Sequence, residues 1–145
     1  KMKITQETNC AIKTILYLST LQKGEISPAK TIGKSIDFSD KFVLKVLRPL
    51  TSANIVLPFR GVTGGYCLGK TTDKITLFDV IVAVQNDINI LTVMKNMSKK
   101  DIKKDEIFSI FDQIQELEKK ILKKITFDMI INNKVNLKNI LEDTL

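Results

Sequence analysis

SDKFVLKVLRPLTSANIVLPFRGVTGGYCL, residues 39 to 68, changes its period half-way along, and that change decides the fold. The first part reads as a helix. Ser39 stands as its N-cap, with Phe38 before it and Val43 four residues inside placed as a hydrophobic staple. Val43, Leu44, Leu47 and Leu50 form the expected inner stripe, while Asp40, Lys41, Lys45 and Arg48 lie mostly outside it. Pro49 removes one backbone hydrogen bond and is expected to loosen the last turn. Then the period shortens. Ile55-Val56-Leu57 and Tyr66-Cys67-Leu68 are strand candidates flanking Arg60-Gly61-Val62-Thr63-Gly64-Gly65. Three glycines in five residues predict a tight loop with accessible backbone at the tip of a β-hairpin.

Towards the N-terminus, residues 5 to 23 read as a helix with a broad apolar face of Ala11, Ile12, Ile15, Leu16, Leu18 and Leu21, closed by Gly24. Ser27-Pro28 is expected to cap a short second helix reaching about Ser35 and burying Ala29 and Ile32. Towards the C-terminus, Thr76 starts another helix and Asp79 at its third position makes a variant capping box. Residues 86 to 104 are polar and read as a linker. From Lys104 to Ile125, Ile107, Ile110, Ile114, Leu117 and Ile121 recur at spacings of 3, 4, 3 and 4, a run of heptad core positions that Phe111, Leu122 and Ile125 widen. Such a stripe must be buried. A dimerisation helix meets that need, and a helix of an intramolecular bundle is the plain alternative. Thr126 and Asn136 are placed to cap two short helices, through Ile131 and Leu141.

Composition removes whole classes of activity. The chain has 145 residues, no histidine and two cysteines, Cys10 and Cys67. Serine or cysteine triads, two-histidine zinc sites and histidine pH switches lose their usual residue, and four thiolates cannot be gathered within one chain. No paired-carboxylate or glycine-rich phosphate signature replaces them, so an enzyme is not expected. The longest apolar run, Val80 to Val84, is five residues, which predicts no membrane span. With no apolar signal core and no disulfide framework, a cytoplasmic protein is expected, its native start at Met2. The net charge is +7, and it is uneven: residues 1–85 carry 12 basic and 6 acidic groups, residues 86–145 carry 11 and 10. A basic first half suits an anionic partner, and lysine-rich composition is the bland alternative. Of the 23 basic residues only Arg48 and Arg60 are arginines, so a need for the planar guanidinium fork is sought there.

Three helices followed by a β-hairpin make a winged helix-turn-helix, so the fold expected is mainly α with a small β-hairpin wing. Its domains are a winged unit at residues 2–85, the linker, and a dimerisation helix with C-terminal helices at 105–145. The third helix fits the major groove of double-stranded DNA, and a glycine-rich tip bearing Arg60 suits the minor groove. Arg48, Thr63, Gly64 and Gly65 belong to the same candidate surface. Each part has a rival reading: a mere tight turn at Gly64-Gly65, a solvated face at Lys41 and Lys45, an internal ion pair at Arg48.

The same residues resemble the IscR/NsrR/CymR family of bacterial transcription regulators, the Rrf family. Met2 to Thr8 with Ala11, Phe42 to Leu50 with Ala53 to Val56, Arg60 to Leu68, and Ile75 to Ile81 carry the likeness, the arginine-glycine start and glycine-glycine-tyrosine close being its most specific motif. The resemblance implies a homodimer, crossed at its long helices, on a palindromic operator. It implies that Ser39, Lys41 and Lys45 read the major groove and that Arg60 and Gly61 reach the minor groove. The departures are specific. Cluster-binding members carry three cysteines between the helix after the wing and the dimer helix, and residues 86–104 hold none; Asn9 stands where some members have an acidic ligand. The expectation is therefore a repressor with no metal or other cofactor, answering to a protein or small-molecule effector. The alternatives are a regulatory adaptor working through a partner such as a metabolic enzyme, and a thiol redox sensor using Cys10 or Cys67.

Overall fold

A computed structural model describes residues 4–85 and 104–145. Thr5 caps the first helix, α1 (Gln6–Leu18), by accepting a hydrogen bond from the Thr8 amide at 3.1 Å. This helix is shorter than its apolar pattern predicts. Ser19 Oγ donates to the Leu16 carbonyl and Thr20 Oγ1 to that of Tyr17, so side-chain hydroxyls take the acceptors that a further turn would need. Gly24 does adopt a positive φ of 88°, but in the following turn and not at the helix end.

The second helix, α2 (Ala29–Ile36), starts after Pro28, which takes the N-cap position with an extended ψ of 153° and offers no side-chain cap. Ser27 is not the cap that its sequence position suggests. Its amide and carbonyl exchange hydrogen bonds with Tyr66, both at 2.9 Å, and its hydroxyl meets the Tyr17 hydroxyl at 3.0 Å. Ile32 is buried as expected, and Ala29 is half-buried.

The third helix, α3 (Asp40–Ser52), is capped by Ser39, which accepts from the Phe42 amide at 3.1 Å. Phe38 lies against Phe42, ring centroids 5.2 Å apart, ahead of the first turn. The buried stripe is Val43, Val46, Leu47 and Leu50. Leu44, expected inside, is 44% exposed. In the run Val43-Leu44-Lys45-Val46-Leu47, Leu44 and Val46 flank the Val43–Leu47 line on opposite sides, so two apolar faces are possible, and packing against α1 and α2 selects the one through Val46. The helix ends in a Schellman turn: Asn54 is left-handed at φ 59°, its amide bonds the Thr51 carbonyl, and the Ile55 amide reaches back to Leu50.

Strands β1 (Val56–Phe59) and β2 (Gly65–Leu68) pair antiparallel with Val56 opposite Leu68 and Phe59 opposite Gly65. A 3-10 turn at Thr72–Lys74 leads to α4 (Leu77–Gln85), and the capping box is present in both directions, Asp79 amide to Thr76 Oγ1 at 3.1 Å and Thr76 amide to Asp79 Oδ2 at 3.0 Å. The linker expected at 86–104 lies outside the described residues except for its last position, where α5 (Lys104–Lys124) begins. Two short helices follow, α6 (Phe127–Ile131) capped by Thr126 and α7 (Leu137–Thr144) capped by Asn136. Among the described residues no helix is long and apolar enough to cross a membrane.

One core joins the first and last parts of the chain. Phe127 is fully buried in the same cluster as Ile15, Ile32, Leu47 and Val80. It is brought there by a two-sided bridge: the Leu77 amide bonds the Ile125 carbonyl and the Phe127 amide bonds the Ile75 carbonyl, each at 2.9 Å. Along α5, by contrast, Ile110 and Ile114 remain 55% and 47% exposed, while Ile107, Leu117 and Ile121 are half-buried. Removing the Phe127 ring should therefore disturb the winged unit more than 40 residues away in sequence. Phe127→Ala is expected to cost about 3–5 kcal/mol in urea unfolding followed by circular dichroism; a loss below about 1 kcal/mol would show that the ring is not part of the core.

Candidate nucleic-acid interface

The outward face of α3 is set by its periodicity. Lys41, Leu44, Lys45 and Arg48 recur at i, i+3, i+4 and i+7, and all four are exposed because the opposite face carries the core. Beyond this ridge a cleft of about 660 Å³ opens between α3, the start of α2 and the hairpin. Arg48 enters it from the helix and Arg60 from the hairpin, so the only two arginines of the chain line the same cavity. Gly61, Gly64 and Gly65 form its hairpin wall, and Leu44 and Phe59 supply apolar surface.

The glycines answer to geometry. Gly61 has φ 110°, closed to side chains without strain, and its carbonyl accepts from the Gly64 amide at 3.0 Å. A Cβ on Gly65 would come within 2.7 Å of the Ser27 carbonyl carbon, so a larger residue would push the hairpin off the helical body.

The remaining candidates are placed apart. Thr63 is exposed in the hairpin loop and does not line the cleft. Ser39 faces a second depression, of about 540 Å³, shared with Lys30 and Lys34. Lys41 is exposed with no ion pair described. Lys45 has a partner: its Nζ lies 2.9 Å from Glu7 Oε1, and it also sits 5.8 Å over the Phe42 ring. The internal ion pair considered for Arg48 is thus made by Lys45. Sequence reasoning missed Leu44, Phe59 and Lys30. The spacing of Leu44 from Lys41 and Arg48, three and four residues, was the available signal for the first.

A capped helix with a cationic outer face, followed by a glycine-tipped hairpin, is the frame of a winged helix, and residues 4–133 match the family described as "Rrf2: Iron-dependent Transcriptional regulator". The chain belongs to the Rrf2 family. It is similar to the regulator NsrR of Bacillus licheniformis, 30% identical over 90 residues, which is 62% of this chain and 63% of that one. Protein aau3 of Rhizobium meliloti is 35% identical over 86 residues, 59% of this chain and 54% of the relative. The chain thus matches less than two thirds of the length of these two relatives. CymR of Bacillus subtilis is 25% identical over 116 residues, 80% of this chain and 83% of that one. In structure, CymR, "the Global Cysteine Regulator of B. subtilis", superposes with a TM-score of 0.74 at 20% identity, covering 92% of this chain and 98% of that one. The IscR of T. potens gives 0.68 at 16% identity, covering 92% and 89%.

An iron site built on thiolates and imidazoles, as an iron–sulfur cluster is, does not fit the donors that this sequence holds. Histidine is absent from the sequence, and Cys10 is fully buried inside α1 among core side chains. Burial pushes the Cys10 thiol above its usual range, with a contact to Thr14 and the charge of Lys13 opposing in part. A thiol so placed favours its protonated form and is enclosed by core side chains, whereas iron ligation and oxidation need an accessible thiolate. Cys67 is half-buried on β2. Among the described residues no three or more His, Cys, Asp or Glu side chains gather as a metal site.

Glu7 is held below its usual carboxylate range by the hydrogen bond from Lys45, then by the amide at its own position and the Lys45 charge. With its folded pKa depressed, the pair contributes at neutral pH and is lost as pH falls through that lowered value, below 4.5. At neutral pH the pair occupies a cation of the outer face. Glu7→Gln is expected to release Lys45 and raise affinity for random duplex DNA by roughly two- to fivefold at low salt. Anisotropy titrations showing no gain would mean that Lys45 stays off the DNA.

Proposed function

We propose that this Rrf2-family chain is a sequence-specific repressor that binds a palindromic operator as a homodimer, without an iron–sulfur cluster and without enzymatic activity, in the cytoplasm. The observation that carries the reading is the convergence of Arg48 and Arg60 on one cleft in a chain that uses lysine everywhere else. Guanidinium forks bind base edges bidentately and suit narrow minor grooves, whereas lysines serve as point charges for phosphates. In this reading Ser39, Lys41, Lys45 and Arg48 meet the major groove, and Arg60, Gly61, Thr63, Gly64 and Gly65 meet the minor groove. Residues 2–85 act as the DNA-binding unit and 105–145 as the dimerisation unit. The exposed Ile110 and Ile114, flanked by Ile107, Leu117 and Ile121, supply a two-chain seam that the single chain does not cover. Repression follows from occupying the operator, and a protein or small-molecule effector supplies the signal in place of iron. The burial of Cys10 speaks against the thiol-sensor alternative for that residue.

Gel-shift and anisotropy assays of the purified protein on its own upstream DNA test this directly. Specific binding is the expected result, and binding no tighter than to random duplex would overturn it in favour of an adaptor. Arg60→Lys keeps the charge and loses the fork, so it should weaken operator binding by roughly 1–3 kcal/mol per half-site while leaving random DNA nearly unaffected. Equal losses on both would reduce Arg60 to a phosphate contact. Ile114→Lys should place an unpaired charge in the seam and give monomer, or unfolded chain, in sedimentation at micromolar concentration. A wild-type protein that sediments as monomer there would remove the dimer.

A further inference from the structure

The outer ridge of α3 carries three exposed cations, and one large apolar side chain stands among them. Lys41, Lys45 and Arg48 present charge, and between them Leu44 presents a bare isobutyl group, 44% exposed. It stands three residues from Lys41 and four from Arg48, so all three share one side of the helix. Leu44 also lines the cleft that Arg48 and Arg60 line, so it belongs both to the ridge and to the cavity beside it. An apolar group in that position gains nothing from phosphates or from the polar base edges that its charged neighbours can serve. Of the chemical groups that base edges offer in the major groove, the C5-methyl of thymine is the apolar one.

Resting on the proposed DNA-binding role, we infer that Leu44 determines sequence preference by packing on a thymine methyl group in each half-site. The division of labour is physical. Long-range charge from Lys41 and the other lysines of the basic first half draws the helix into the groove on any sequence. Leu44 then separates sequences, because a base without the methyl leaves its side chain facing a polar edge or water, with no apolar surface buried in return. Contact by a donor side chain would distinguish bases through N7, O6 or O4; contact by Leu44 distinguishes thymine from the same base without its methyl.

Deoxyuridine isolates that one group. The operator is first selected by the wild-type protein from randomised duplexes, and each thymine of a half-site is then replaced by deoxyuridine in turn. One position is expected to show a loss of roughly fourfold per half-site, and about fifteenfold when both half-sites are replaced, the size expected for withdrawing one buried methyl. Leu44→Ala should bind the thymine operator more weakly, be indifferent to deoxyuridine at that position, and keep its thermal midpoint. Equal wild-type affinity for thymine and deoxyuridine at every position overturns the inference while the DNA-binding role stands. So does deoxyuridine sensitivity that persists in Leu44→Ala, or a selected half-site without thymine. Failure to select any sequence overturns the DNA-binding role itself and this inference with it.

Discussion

Two backbone hydrogen bonds between Ser27 and Tyr66, each 2.9 Å long and running in opposite directions, tie the hairpin to the helical body. A two-stranded ribbon alone is marginal in water, and this one is held by these bonds together with Val56, buried in the core, and with Tyr66 and Leu68 packed against that core. Through the two bonds, one residue of the loop before α2 acts as a third strand, and the distance from α3 to the hairpin becomes a property of the fold. The junction is sealed on both sides. Tyr17 from α1 meets the Ser27 hydroxyl, and the missing side chain of Gly65 lets the backbones approach. Pro28 follows at once and starts α2 with a fixed φ of −66°. The cleft that Arg48 and Arg60 line lies beside this contact, with Pro28, Gly65 and Tyr66 in its wall.

What the sequence made legible was local. The Thr76–Asp79 box depends on two residues three apart, and both of its hydrogen bonds are present as read. The helix starts at Thr5 and Ser39, the hairpin and the span of α5 likewise follow from signals within one or two turns. Apart from the early end of α1, which local side-chain hydroxyls set, the misreadings involve a partner far along the chain or a choice between equivalent faces. Ser27 looked like a cap because Ser-Pro is a helix-start signal, and its true partner lies at Tyr66, beyond α3 and the hairpin loop. Leu44 looked internal because the apolar residues around it support two stripes, and only the positions of α1 and α2 decide between them. Phe127 carried no local mark of its role: its burial depends on the bridge to Ile75. At the interface, the arginines and glycines were legible as residue types with few other uses, whereas the Lys45–Glu7 pair joins two helices and could not be read from either.

The electrostatics of the outer face follow from the same packing. Because α1 lies across the back of α3, its first turn brings Glu7 to the edge of the ridge and neutralises one lysine there. The face is therefore less uniformly positive than a count of lysines suggests, since Lys45 is paired with Glu7. Specificity benefits from such an arrangement, since charge that binds every sequence equally adds affinity without discrimination.

The bridge between residues 75–77 and 125–127 also turns α5 into a lever. A helix of 21 residues is about 31 Å long. Its far end is fastened to the winged unit by hydrogen bonds on both sides and by the buried Phe127 ring, so it has little freedom to pivot there. In the proposed dimer, a tilt of about 10° between crossed helices would shift the attached units by roughly 5 Å over that length. That is more than the 3.4 Å rise of one base pair along a strand of B-DNA. A ligand that slightly altered the crossing would put the two recognition helices out of step with a fixed operator, with no need to reach the groove-facing residues at all.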